Sequence, residues 1–172
     1  LDPNNPDSVM NIAYLFRFSD DEIKYKEFVN KAVEINPHHS RSLQAKGMLE
    51  LNESNYDHSI DLLNRAHESD PSRVPFYETM ILFCHLGKND WLSANQTVDR
   101  CMRKNDHSRF HAFKAVILAY EGKIEESQHW LKKYQENRPE IKTLKDYENV
   151  VPEINQKVKE FLLNGMKKAG LE

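Results

Sequence analysis

Pro37, Pro71 and Pro139 stand 34 and 68 residues apart, and the second interval is twice the first. Around each lies one pattern: apolar positions at helical spacing, a small residue, a polar turn, more apolar positions, then the proline. A period of 34 is the length of a helix–turn–helix unit that buries its apolar face only against a neighbouring unit. The chain is thereby predicted to be all-α and modular, and the central question becomes what it holds.

With each proline at position 32 of its unit, the units span 6–39, 40–73, 74–107 and 108–139. In the first, Val9, Ile12, Ala13 and Phe16 form one helical stripe, and Tyr25, Val29 and Ala32 form a second. Ser19-Asp20-Asp21-Glu22 reads as a capping box opening the second helix. Leu43, Gly47, Tyr56, Ser59, Leu63 and Ala66 repeat the pattern, with Lys46 at a position where an apolar residue is expected. The fourth unit supplies Ala115, Leu118, Gly122, Ile124, Ser127, Leu131 and Tyr134.

The third unit is out of frame after Gly87. In strict register its second helix would bury Ser93, Thr97 and Arg100; slipped by one it buries Ala94, Val98 and Cys101. The turn Gly87-Lys88-Asn89-Asp90 is therefore expected to hold one extra residue, and the linker Asn105-Asp106-His107 one fewer. Positions 8 and 20, where the paired helices cross, never hold two large residues: Ala13 with Tyr25, Gly47 with Ser59, Ile81 with Ala94, Ala115 with Ser127. Overpacking such a crossing costs ~1–3 kcal/mol.

These residues resemble the tetratricopeptide repeat. Ala13, Gly47 and Ala115 match its small position 8, and Ser59, Ala94 and Ser127 its small position 20. Ala32 and Ala66 match its alanine at position 27, and Pro37, Pro71 and Pro139 its proline. Tyr134 departs from that alanine, and Val9, Leu43, Tyr77 and His111 replace the family's tryptophan at position 4. The resemblance implies a right-handed superhelical array of about four repeats over residues 1–139, with capping helices over 140–172.

The tail, through Arg138-Pro139, Thr143-Leu144, Pro152 and the run Gly165-Met166-Lys167-Lys168-Ala169-Gly170-Leu171, is similar to a bacterial C-terminus. That segment ends the repeat arrays of some class III adenylate cyclases and winged-helix regulators. A short helix is expected over 146–151, stopped by Pro152. From Glu153, a last helix should present Ile154, Val158, Phe161, Leu162 and Met166 on one face, with Gly170 at its end. Leu171-Glu172 is read as either native or a cloning remnant.

The composition excludes several function classes. A formal charge of −3 and pI near 6.3 give no general attraction to nucleic acid or anionic membrane. Cys84 and Cys101 are too few for a disulfide scaffold and read as reduced, buried thiols. The chain opens at Leu1 with no Met and no apolar leader, which predicts a fragment or a processed, cytoplasmic chain. His107 and His111 share a helix face but lack a third ligand, and His85 beside Cys84 is no nucleophile motif. No cofactor, metal or catalytic residue is expected.

What remains is the face made by the first helix of each unit, expected to be concave through positions 2, 5, 9 and 12. Its candidate partner-binding residues are Tyr14, Arg17, Arg41, Gln44, Met48, Glu78, His85 and Arg109. Arginine suits carboxylates and methionine an adaptable surface. In some family members Lys and Asn at positions 5 and 9 clamp a terminal carboxylate; Met10 and Tyr14 stand there instead, so that ligand is not expected. A protein or peptide partner, or another domain of a larger bacterial signalling protein, is expected. A regulatory or dimerising appendage of an upstream enzyme or DNA-binding domain is the alternative.

Overall fold

The computed structural model describes residues 2–152 and 154–172, apart from the side chains of residues 73–75. Expectations placed on Leu1, on Glu153 and on the side chain of Pro75, which stands at position 2 of the third unit's first-helix face, lie outside the described residues. The helices are α1 (Pro6–Phe18), α2 (Glu22–Ile35), α3 (Ser40–Asn52), α4 (Tyr56–Ser69), α5 (Val74–Gly87), α6 (Trp91–Lys104), α7 (Ser108–Tyr120), α8 (Ile124–Asn137), α9 (Leu144–Glu148) and α10 (Gln156–Lys168). No strand occurs among the described residues, so the all-α reading holds. The chain forms two compact units, one up to Ile81 and one from Leu82.

Every turn between the first and second helix of a unit is built alike. Asp20, Ser54, Asn89 and Gly122 adopt left-handed φ values of 56°, 65°, 59° and 76°, which reverse the chain in three residues. Only Gly122 does so without steric cost. This turn overrides the capping box expected at Ser19: Ser19 is the C-cap of α1, and α2 is capped by Asp21, whose side chain accepts from the Lys24 N–H. The extra residue of the third unit also lies elsewhere than expected. It lengthens α5 to 14 residues against 13 in α1, α3 and α7, and the turn keeps its ordinary length. Ala94, Val98 and Cys101 are buried.

In the unit up to Ile81, α1 packs on α2, α3 on α4, and α3 on both α1 and α2. Val9, Met10, Ala13, Tyr25, Val29 and Ala32 form one core with Ala45 and Leu49 of α3. Ser59 Oγ donates to the Gly47 carbonyl at 2.7 Å. A Cβ on Gly47 would lie 2.9 Å from Leu63 Cγ, so glycine is required by the close approach. Lys46, the apparent blemish, has an explanation. Its ammonium lies 3.0 Å from Glu50 Oε1, and Asn55 donates to the same carboxylate at 2.8 Å. Burial opposes the Glu50 charge, but these bonds, with His58 nearby, hold its carboxyl below the usual range.

In the unit from Leu82, α7 packs on α6, α8 and α10, and α10 also on α9. Ser127 Oγ donates to the Ala115 carbonyl at 2.7 Å, repeating the Ser59 contact at the same two positions. Lys114 bridges to Asp99 of α6 at 2.6 Å. The tail differs in detail from expectation. A capping box between Thr143 and Asp146 starts α9 at Leu144, and Asn155 caps α10 at Gln156. Val158, Leu162 and Met166 are buried; Ile154 precedes the helix. The α10 end is a Schellman motif: Gly170 N–H donates to Lys167 O at 3.1 Å and Leu171 N–H to Met166 O at 3.0 Å. Gly170 supplies the left-handed residue, with φ 102°, and Leu171 is buried.

Candidate partner-binding surfaces

The first-helix face is most open in the unit up to Ile81, and Arg41 organises it. Its guanidinium donates to Asn11 Oδ1 at 2.9 Å, reaches Asp7 Oδ1 at 3.5 Å, and lies 4.8 Å over the Tyr14 ring. His39 Nε2 approaches the same Asp7 oxygen at 3.3 Å, and its Nδ1 lies 2.7 Å from Ser42 Oγ. Arg41 is thus fixed on α1 from its base on α3. Arg17 is exposed, with its guanidinium 5.8 Å from the Tyr25 ring, and Tyr14 and Met48 are half-buried. Burial and the neighbouring Tyr14 push the Tyr25 phenol pKa up.

Gln44 and Glu78 differ from their expected placement. Both are buried, as are Met10 and Ala112 at the same repeat position. For Met10 and Gln44 the reason is geometric: α1 and α3 pack directly, so position 5 lies under their contact. The accessible candidates here are therefore Tyr14, Arg17, Arg41 and Met48.

In the unit from Leu82 the corresponding face is covered by the chain itself. α10 lies on α7, and a Cβ on Gly165 would come within 2.5 Å of Val116 Cγ1 and 3.1 Å of Tyr120. Tyr120 stacks on Trp91 at 4.5 Å and 5°, and Phe161 of α10 meets both rings edge-on. Lys168 lies 4.2 Å over Tyr120. Arg109 remains exposed, 5.6 Å over Phe110. His85 Nδ1 lies 3.7 Å from Asp90 Oδ2; Ser93 donates to the Asp90 carboxylate and holds its pKa below the ordinary value.

A second surface was not anticipated from the sequence. An open groove of about 590 Å³ is lined by Met102, Arg103, His111, Trp130, Lys133 and Glu136, among others. Lys133 lies 4.4 Å over Trp130, and the buried His111 ring sits 5.3 Å from it. His111 Nε2 is 2.6 Å from Asp106 Oδ1. His107 does not join it; its Nδ1 accepts the Arg109 N–H at 3.2 Å as a helix cap. Trp130 three residues before Lys133 was the available signal. Among the described residues, no group of three metal-ligating side chains occurs, and no helix is long and apolar enough to cross a membrane.

No family model matches the chain, and no curated protein matches it. Solved structures do. The chain is similar to YrrB, a TPR protein with an unusual peptide-binding site, at 16% identity and TM-score 0.66, covering 96% of this chain and 85% of that one. It is similar to PilW, a widely conserved type IV pilus biogenesis factor, at 17% identity and TM-score 0.71, covering 98% and 74%. It is also similar to MamA, at 13% identity and TM-score 0.68, covering 95% and 89%. These likenesses show that the fold is that of tetratricopeptide-repeat proteins.

Proposed function

We propose that this chain is a non-catalytic protein-interaction module, and that Tyr14, Arg17, Arg41 and Met48 contact its partner. The observation that carries this reading is the fixed Arg41–Tyr14 pair flanked by exposed Arg17 and half-buried Met48. Aromatic and arginine side chains dominate binding energy where they are held in place before contact. The two guanidinium groups favour a peptide carrying carboxylates beside apolar side chains. YrrB, whose fold this chain shares, has a peptide-binding site; that site belongs to YrrB and lends support by analogy only.

The module is, in this proposal, the C-terminal part of a larger bacterial signalling protein. A regulatory or dimerising role beside a cyclase or winged-helix domain is the variant of it. The tail resemblance supports both.

Selection of peptides from a random library on the immobilised protein tests the surface. Enriched peptides should be acidic and lose about tenfold or more in affinity against Tyr14→Ala/Arg17→Glu/Met48→Ala, a change of 1.4 kcal/mol or more. Equal binding by a variant with unaltered helicity would remove these residues from the account.

A further inference from the structure

The turn that precedes α1 repeats the turns that follow α2 and α4. Asn36 is the C-cap of α2 and Asp70 that of α4. Each precedes a proline, Pro37 and Pro71, and each side chain accepts the N–H two residues on: His38 N to Asn36 Oδ1 at 2.9 Å, Ser72 N to Asp70 Oδ1 at 3.1 Å. Asp2 does the same. It precedes Pro3, which lies 34 residues before Pro37, and its Oδ1 accepts the Asn4 N–H at 2.9 Å. The backbone agrees, since Asn5 N–H reaches Asp2 O at 3.2 Å as His39 N–H reaches Asn36 O at 3.1 Å. Asp2 occupies the place of a residue that ends a second helix.

The outer stripe of α1 points the same way. In α3, Ala45 and Leu49 are buried in the core shared with α2. In α7 the equivalent Phe113 and Ile117 are buried in the unit that includes α6. In α1 the equivalents are Asn11, which is exposed, and Leu15, which is 66% exposed; Phe18, one turn on, is 85% exposed. Leu15 stands open at a position that is buried in α3 and α7, and Phe18 at the one where Tyr120 of α7 stacks on Trp91 of α6.

We infer that α1 packs against the second helix of a further repeat, formed by the segment of the parent polypeptide that leads into Pro3. The chemistry of that helix follows from the seam it meets. Ile12 and Ser19 occupy the positions where Lys114 bridges to Asp99 of α6 and Glu53 pairs with Lys26 of α2, so the covering helix presents an apolar ridge without a matching charge. A second copy is the weaker occupant. Two side chains fall well short of the ~800 Å² per partner that a stable interface buries. A head-to-tail contact would need the outer face of α8, where Tyr134 is buried and meets Tyr147 of α9 edge-on, ring centroids 6.0 Å apart.

The parent chain extended by about 34 residues ahead of Pro3 tests it, with hydrogen exchange of α1 as the readout. The extension should place small or apolar residues five, eight and twelve places before Pro3. It should also slow exchange across Leu15–Phe18 about tenfold or more. Leu15→Asp/Phe18→Asp should abolish that protection in the long chain and leave the helicity of the short one unchanged. A start codon or a Gly/Pro-rich linker immediately upstream, or α1 exchange equal in both chains, would overturn the inference. So would concentration-dependent protection of α1 in the short chain that Leu15→Asp removes, since a second copy would then be the occupant.

Discussion

At Gly165 a single methyl group would disturb two neighbours. An added Cβ meets Val116 and Tyr120, so Gly165→Ala should lower the urea midpoint by an amount equivalent to about 1–3 kcal/mol. The four left-handed turn residues make a different comparison. Gly122 has open space around it, and Gly122→Ala should cost about 1 kcal/mol through backbone conformation alone. Ser54, at φ 65°, should show the opposite sign, with Ser54→Gly raising the midpoint. Glu50 links such effects to pH. Its folded pKa is held below the ordinary value of about 4.3, so its contribution is complete above that value and fades as pH falls through the lower folded one. Glu50→Gln should therefore be less stable at neutral pH and lose less stability on acidification than the parent chain. Stability curves that stay parallel between about pH 7 and pH 3 would show the charge to be irrelevant.

Helices and the contacts between them were largely readable from the sequence because their determinants are periodic. Alternate prolines, small crossing residues and apolar stripes located all eight repeat helices, and the frame slip after Gly87 followed from Ala94, Val98 and Cys101. Other determinants carry no period. Asp20 reverses the chain by a backbone angle, which hid the cap at Asp21 behind a plausible Ser19. Burial of Gln44 and Glu78 depends on neighbouring helices, and no property of a polar residue announces it. The path of α10 back onto α7 rests on Gly165, a lone residue whose role appears only beside Val116. That helix makes its own prediction. In a Trp130→Phe background, Phe161→Ala should shift Trp91 emission to longer wavelength and cost roughly 1–3 kcal/mol, less than a fully buried Phe because Phe161 is half-buried. Unchanged emission would mean that α10 does not shield Trp91.

Across the molecule, exposure of the α1 stripe and burial of α7 between α6, α8 and α10 predict a gradient of local stability. In hydrogen exchange of this chain α1 should be among the first helices to open and α7 among the last; uniform protection would contradict that order. The polar groups between helices hold a further regularity. Lys46 and Lys114 share one repeat position, where the first and third units carry Ile12 and Met80; at the turn residue held by Glu53 and Glu121 those units carry Ser19 and Lys88. Glu53 pairs with Lys26, and Glu121 accepts from Asn95 at 3.5 Å. The chain thus alternates two kinds of brick, one with a lysine at that point of its first helix and one with an apolar side chain there. Its true period in this respect is a pair of repeats. Bricks of the same kind should be exchangeable by gene shuffling, whereas swapping one kind for the other should put a lysine where an apolar side chain packs and lower the urea midpoint.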